Sequence, residues 1–135
     1  MFREKLCAAA VMAVLAAACA HHDNVTPSGG MPFANEKQVK VGVLLTGPKP
    51  TPSVDPETIV LKKDKDHAVW TSENPIRITF DDGYVPPCKS TGNAGYRCVS
   101  KTFSVEKRYK YSVAIQVNGS WTDPLDPFVD VIPGP

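Results

Sequence analysis

Residues 107–117 read KRYKYSVAIQV, in which Tyr109, Tyr111, Val113, Ile115 and Val117 alternate with Lys110, Ser112, Ala114 and Gln116. Successive side chains of a strand point to opposite faces, so this period of two puts two tyrosines and three β-branched residues on one side and mostly polar residues on the other. A strand with one apolar face must be covered by a second layer. At 135 residues, 42% hydrophobic and 21% charged, the chain has room for one ordinary domain around such a strand. Its thirteen prolines and nine glycines disfavour long helices and suit turns between short strands.

The same alternation recurs along the chain. Val39, Val41, Val43 and Leu45 alternate with Lys40, Gly42, Leu44 and Thr46, which predicts a first strand over 38–46. Gly47-Pro48-Lys49-Pro50-Thr51-Pro52 ends it as an extended connector that lacks donors at its prolines. Further strands are expected at 58–62, at 68–71 with Val69 and Trp70 on opposite faces, and at 76–81, where Ile76, Ile78 and Phe80 alternate with polar residues before the turn Asp81-Asp82-Gly83. Val99, Phe103 and Val105 predict a strand over 99–105 that pairs with 107–117 through a turn at Glu106, and 128–132 supplies the last strand. Six to seven strands without an amphipathic helix specify an all-β chain, a single antiparallel β-sandwich over 38–135. In this reading 107–117 is central, and the strands at 38–46, 58–62, 76–81 and 128–132 cover it.

The N-terminus sets the compartment. Arg3 and Lys5 precede an apolar run over 6–18 that is too short to span a bilayer, which needs about 20 apolar residues, so 1–18 reads as a secretory signal peptide. Leu15-Ala-Ala-Ala-Cys19 resembles the lipobox of bacterial lipoproteins, with the leucine displaced by one position. The resemblance implies lipidation of Cys19 and a membrane anchor. Ala18-Cys19-Ala20 also fits ordinary cleavage, which would release a soluble periplasmic or secreted protein starting at His21. Residues 19–37, with Pro27, Gly29, Gly30 and Pro32, read as a flexible tether. His21 and His22 within it read as solvated rather than as copper ligands, and Cys7 leaves with the signal peptide.

Without residues 1–18 the chain keeps thirteen basic and thirteen acidic side chains. This balance argues against nucleic acid, whose binding rests on clustered positive charge, and against a polybasic membrane patch. Cys88 and Cys98 enclose a glycine-containing loop and, in an exported chain, are expected to form a structural disulfide; a redox pair would be closer, as in C-x-x-C.

His67-Ala-Val-Trp70, Ile76-x-Ile-x-Phe80, Tyr109-x-Tyr-x-Val113 and Asp126-Pro-Phe-Val-Asp130 together resemble a cupredoxin-like β-sandwich, as found in small bacterial exported proteins, over about residues 56–131. The fold expected is therefore cupredoxin-like or immunoglobulin-like. A blue-copper site needs two histidines, a cysteine thiolate and usually a methionine. After Cys98 the chain has neither histidine nor methionine, and a disulfide consumes the thiols, so no metal and no cofactor are expected.

His67 with Ser72 or Ser90 and an aspartate is the one arithmetically available triad, and no motif marks either serine. Asp123, Asp126 and Asp130 fit no calcium loop, and Asp81-Asp82 reads as a turn. Tyr84, Tyr96, Arg97 and Trp121 lie near turns and form a candidate binding surface, since aromatic and arginine side chains on rigid loops are common contact residues. The expectation is a non-enzymatic envelope lipoprotein that binds a protein or surface component. The alternatives are a cupredoxin-derived metal or electron-transfer protein and a small envelope hydrolase.

Overall fold

Ten strands form among the residues that the computed structural model describes, 35–92 and 95–134. They are β1 (Glu36–Leu44), β2 (Thr51–Asp55), β3 (Thr58–Lys62), β4 (His67–Ser72), β5 (Ile76–Phe80), β6 (Cys88–Ser90), β7 (Tyr96–Val99), β8 (Arg108–Val117), β9 (Ser120–Trp121) and β10 (Phe128–Ile132). The expected signal peptide at 1–18, Cys19, His21, His22 and most of the tether lie outside the described residues. β1 takes in Glu36 and Lys37, which the sequence pattern assigned to the tether.

Two sheets pack face to face as a β-sandwich. One has the order β2-β1-β4-β7-β6; the other has β3-β10-β8-β5, with β9 beside β8. β8, the longest strand, is interior to its sheet, as its unbroken alternation predicts. The sandwich is not purely antiparallel: β1 pairs β4 in parallel, and β10 pairs β3 in parallel. Alternation reports which face is buried and carries no information on strand direction, so the parallel pairs were invisible in the pattern.

The cover over β8 also differs from expectation. β3, β5 and β10 lie in the sheet of β8, beside it rather than over it, and the opposing layer is built by β1, β4 and β7. Val39 and Val41 of β1, Ala68 and Trp70 of β4 and Cys98 of β7 are buried against Tyr111, Val113 and Ile115 of β8. At the centre the indole N–H of Trp70 donates to the Tyr111 hydroxyl at 3.1 Å, and the two rings meet edge-on at 5.3 Å. Each fully buried aliphatic side chain in this interface contributes about 1.5–3 kcal/mol.

The strand expected over 99–105 is absent. β7 ends at Val99 and pairs β4 and β6 instead of β8. Local bonds draw the following segment out of the ladder. The Ser100 hydroxyl accepts the Ala68 N–H at 2.9 Å and donates to the Lys101 carbonyl at 2.7 Å, while the Lys101 N–H donates to the Tyr84 hydroxyl at 2.8 Å. Phe103 then inserts into the core, and Val105 stays exposed. The proline-rich connector becomes strand from Thr51 onward, because Pro52 sits where β2 needs no donor toward β1.

Cys88 and Cys98 form a disulfide with Cα atoms 4.0 Å apart. They stand directly opposite each other on β6 and β7, so the bond staples the edge strand β6 to its neighbour.

Candidate functional site

Trp121 is held at one end of the sandwich by a short and heavily bonded hairpin. Asn118 and Gly119 take positive φ values of 51° and 84° and form a two-residue turn between β8 and β9, a conformation that Asn-Gly favours. Trp121 is registered with Gln116, and the next residue is tied back twice: the Thr122 N–H donates to the Ile115 carbonyl at 3.0 Å, and the Thr122 hydroxyl accepts the Ile115 N–H at 3.1 Å. These bonds fix the backbone that carries the indole.

Trp121 is 38% exposed, on the outer face of its sheet, where it is registered with Gln116. Arg77 of β5, registered with Ala114, places its guanidinium carbon 4.0 Å from the ring centroid, a cation–π contact that orients the indole. A groove of about 360 Å³ adjoins the ring and is lined by Lys49, Pro50, Val117, Asn118, Ser120, Trp121, Thr122 and Asp123. Lys49 and Asp123 pair at 2.9 Å beside it, joining the β1–β2 loop to the β9 segment. That loop starts with Leu45, 72% exposed, just after Leu44 ends β1. A fixed, partly exposed indole and mixed polar groups around one groove form a surface suited to recognition.

The other three residues singled out by sequence are placed elsewhere. Tyr84 lies toward the opposite end of β8: its carbonyl accepts the Phe80 N–H, and Phe80 is registered with Tyr111, whereas Trp121 is registered with Gln116. Five residues of strand correspond to about 16 Å. Tyr84 closes an aromatic cluster with Phe80 at 5.6 Å and Phe103 at 6.3 Å, and Lys101 lies 4.6 Å over its ring. In the same cluster burial, with a smaller contribution from Asp82, pushes the Tyr109 phenol above its ordinary value, and burial pushes Tyr111 up to about 12. Tyr96, registered with Ser72, packs against the core.

Arg97 points outward from β7 and donates to Glu36 Oε2 at 3.0 Å, with His67 Nε2 3.7 Å from the same oxygen. The Glu36 side chain is only 6% exposed, so this is a sheltered ion pair between β1 and β7, with His67 of β4 beside it. Ser72 and Ser90 align with each other across Tyr96 at the far end of the sheet from His67, again about 16 Å along the strand. The carboxylate beside His67 is thus Glu36, and the two serines stand away from it.

Asp123, Asp126 and Asp130 do not converge. Each pairs with a different cation: Lys49 at 2.9 Å, Lys110 at 3.5 Å and Arg108 at 2.7 Å. Hydrogen bonds from Arg108 hold the Asp130 carboxyl below its usual range. The Asp82 carboxylate accepts the Tyr84 N–H at 2.9 Å, which is the turn role expected of it. Among the described residues, no group of three or more His, Cys, Asp or Glu side chains is placed to hold a metal ion.

Arg77 and the Lys49–Asp123 pair were not marked by the sequence pattern. Arg77 occupied an ordinary polar position in the alternation of β5, and only strand register shows that it overlies Trp121. A scan against protein-family models and a search of curated proteins found no match to the chain.

Proposed function

We propose that this chain is an exported, non-enzymatic β-sandwich binding module, held at a bacterial envelope through lipid on Cys19, that captures an envelope protein or surface component at Trp121. The observation that carries this reading is the exposed Trp121 ring, oriented by Arg77 beside the groove shared with Lys49, Pro50 and Asp123. Large aromatic side chains on rigid loops, ringed by polar groups, are the usual anchors of an interface.

The position of the site supports a partner beyond the anchoring membrane. Asn35 precedes β1, and Leu44 ends it; nine residues of strand separate these ends by about 30 Å. The Lys49–Asp123 pair ties the Trp121 groove to the Leu44 end. The candidate site therefore lies at the end of β1 opposite Asn35.

The test is site-specific photo-crosslinking in intact cells. A photoreactive residue replacing Trp121 is expected to give a discrete adduct, and one replacing Val60, exposed on β3, is expected to give none. Adducts of equal yield and identity from both positions would overturn the assignment of the site.

A further inference from the structure

We propose that the gap between the second half of β1 and the end of β4 receives an extended polypeptide segment of a partner protein as an added strand. This site is separate from the Trp121 groove and does not depend on it. β1 pairs β2 as far as Leu44, but its parallel pairing with β4 stops at Lys40 and Thr71. β4 is pulled away there: the Ser72 hydroxyl accepts the Asn74 N–H at 3.1 Å, and Asn74 Nδ2 donates to the Gln116 carbonyl at 2.9 Å. The chain crosses to the other sheet while β1 runs on.

Register shows where the main-chain groups of β1 point. Val43 faces Pro52, which has no N–H, so this is a pair in which neither residue bonds the other, and Val41 and Val43 direct their backbone groups away from β2. The bond from the His67 N–H to the Asn35 carbonyl sets the same phase for the parallel ladder, in which odd-numbered residues of β1 and β4 bond each other. The next rung would join Val41 and Val43 to Glu73. Among the described residues, no backbone bond outside the strand ladders involves Val41, Val43 or Glu73. The Val41 carbonyl and the Val43 N–H and carbonyl therefore open onto a cavity of about 660 Å³ whose lining includes Lys40, Gly42, Asp55, Thr71 and Glu73.

Donors and acceptors repeating along a strand are complementary to another extended main chain, which is how strand addition gains affinity. The outer edges of this sheet are closed by other means. Pro52 puts its ring where β2 would present a donor, and β6 is three residues long, follows Pro86-Pro87 and is stapled by the disulfide. The inner gap carries no such block. The tether is a poor occupant, since Pro27, Gly29, Gly30 and Pro32 disfavour strand and the prolines lack donors. Asp55 and Glu73 against Lys40 leave the rim one charge negative, which favours a segment bearing a basic residue.

The test selects binders from a displayed library of random heptapeptides against the purified protein, then titrates the enriched synthetic peptide while following amide hydrogen exchange. Enrichment of peptides with alternating β-branched residues and a basic residue is expected, with exchange of the Val43 amide slowed at least tenfold at saturation. Val43→Pro removes this donor without touching the β1–β2 ladder and is expected to weaken the peptide at least tenfold. Trp121→Ala reports separately on the other site. An enriched peptide that leaves Val43 exchange unchanged, or no enrichment at all, overturns the inference; the exchange measurement uses the unaltered protein, so it holds even if Val43→Pro fails to fold.

Discussion

Replacing Tyr111 with phenylalanine tests the contact that joins the two sheets. Tyr111 is fully buried, its ring stacks on Phe80 at 5.3 Å, and its hydroxyl accepts the Trp70 indole N–H at 3.1 Å. Phenylalanine keeps the ring and its packing but leaves the buried Trp70 donor without an acceptor. An unsatisfied buried donor costs about 1–3 kcal/mol, which for a domain of this size lowers Tm by about 5–20 °C. The same residue has an alkaline signature. Burial raises the Tyr111 pKa from 10.0 to about 12, so the unfolded chain releases the phenolic proton first as pH rises. The stabilisation linked to this group is fully present below pH 10 and is lost as pH rises toward 12, with about 1.4 kcal/mol gone by pH 11. Urea unfolding at pH 7 to 11 reads both effects. Tyr111→Phe should start lower at pH 7 and decline less between pH 10 and 11 than the unaltered protein, and Tyr109, present in both, cancels in the comparison. A variant within 0.5 kcal/mol of the parent at pH 7, with a parallel alkaline decline, would refute the reasoning.

Two further outcomes follow from the cysteines. Replacing Cys88 and Cys98 together by alanine opens a loop with a sequence separation of 10 and should cost about 2.8 kcal/mol by loop-closure entropy, measurable as a lower urea midpoint with an intact fold; no change would place the staple outside the stability of the domain. If Cys19 is lipidated, mass spectrometry of the mature protein finds an acylated N-terminus at Cys19, and an unmodified chain starting at His21 would remove the anchor from the account.

The legible part of the fold was its buried faces. Six strands, at 36–44, 58–62, 67–72, 76–80, 108–117 and 128–132, were recognisable, five because they keep apolar residues in alternation against one layer and the one at 67–72 from its short apolar run Ala68-Val69-Trp70, buried on both faces. β6 and β9 have three and two residues, too few to show a period, and are fixed by the disulfide and by the Asn118-Gly119 turn. β2 was hidden by Pro52, whose missing donor is harmless only because of the register it adopts. The segment after Val99 misled because Phe103 and Val105 keep the parity of a strand, while the hydroxyls of Ser100 and Tyr84 take up the carbonyl and the N–H of Lys101.

The candidate site was less legible than the fold. Trp121 could be named from its place after Asn118-Gly119, but grouping it with Tyr84, Tyr96 and Arg97 assumed that loops distant in sequence meet at one end. Strand direction decides that question, and periodicity is silent on it. Register separates Tyr84 from Trp121 along β8, turns Tyr96 toward the core and gives Arg97 to Glu36. It also supplies the partners of Trp121: Arg77 and Lys49 lie 44 and 72 residues away from it in the chain, and the pairing of Lys49 with the nearby Asp123 leaves no local mark.

The most direct test of the central claim is the affinity of the purified mature protein for the partner identified by crosslinking, measured by calorimetry for the parent and for Trp121→Ala. A central aromatic anchor is worth about 2 kcal/mol or more, so the variant should bind about thirtyfold more weakly while its Tm stays within about 2 °C of the parent. An unchanged Kd would contradict the account.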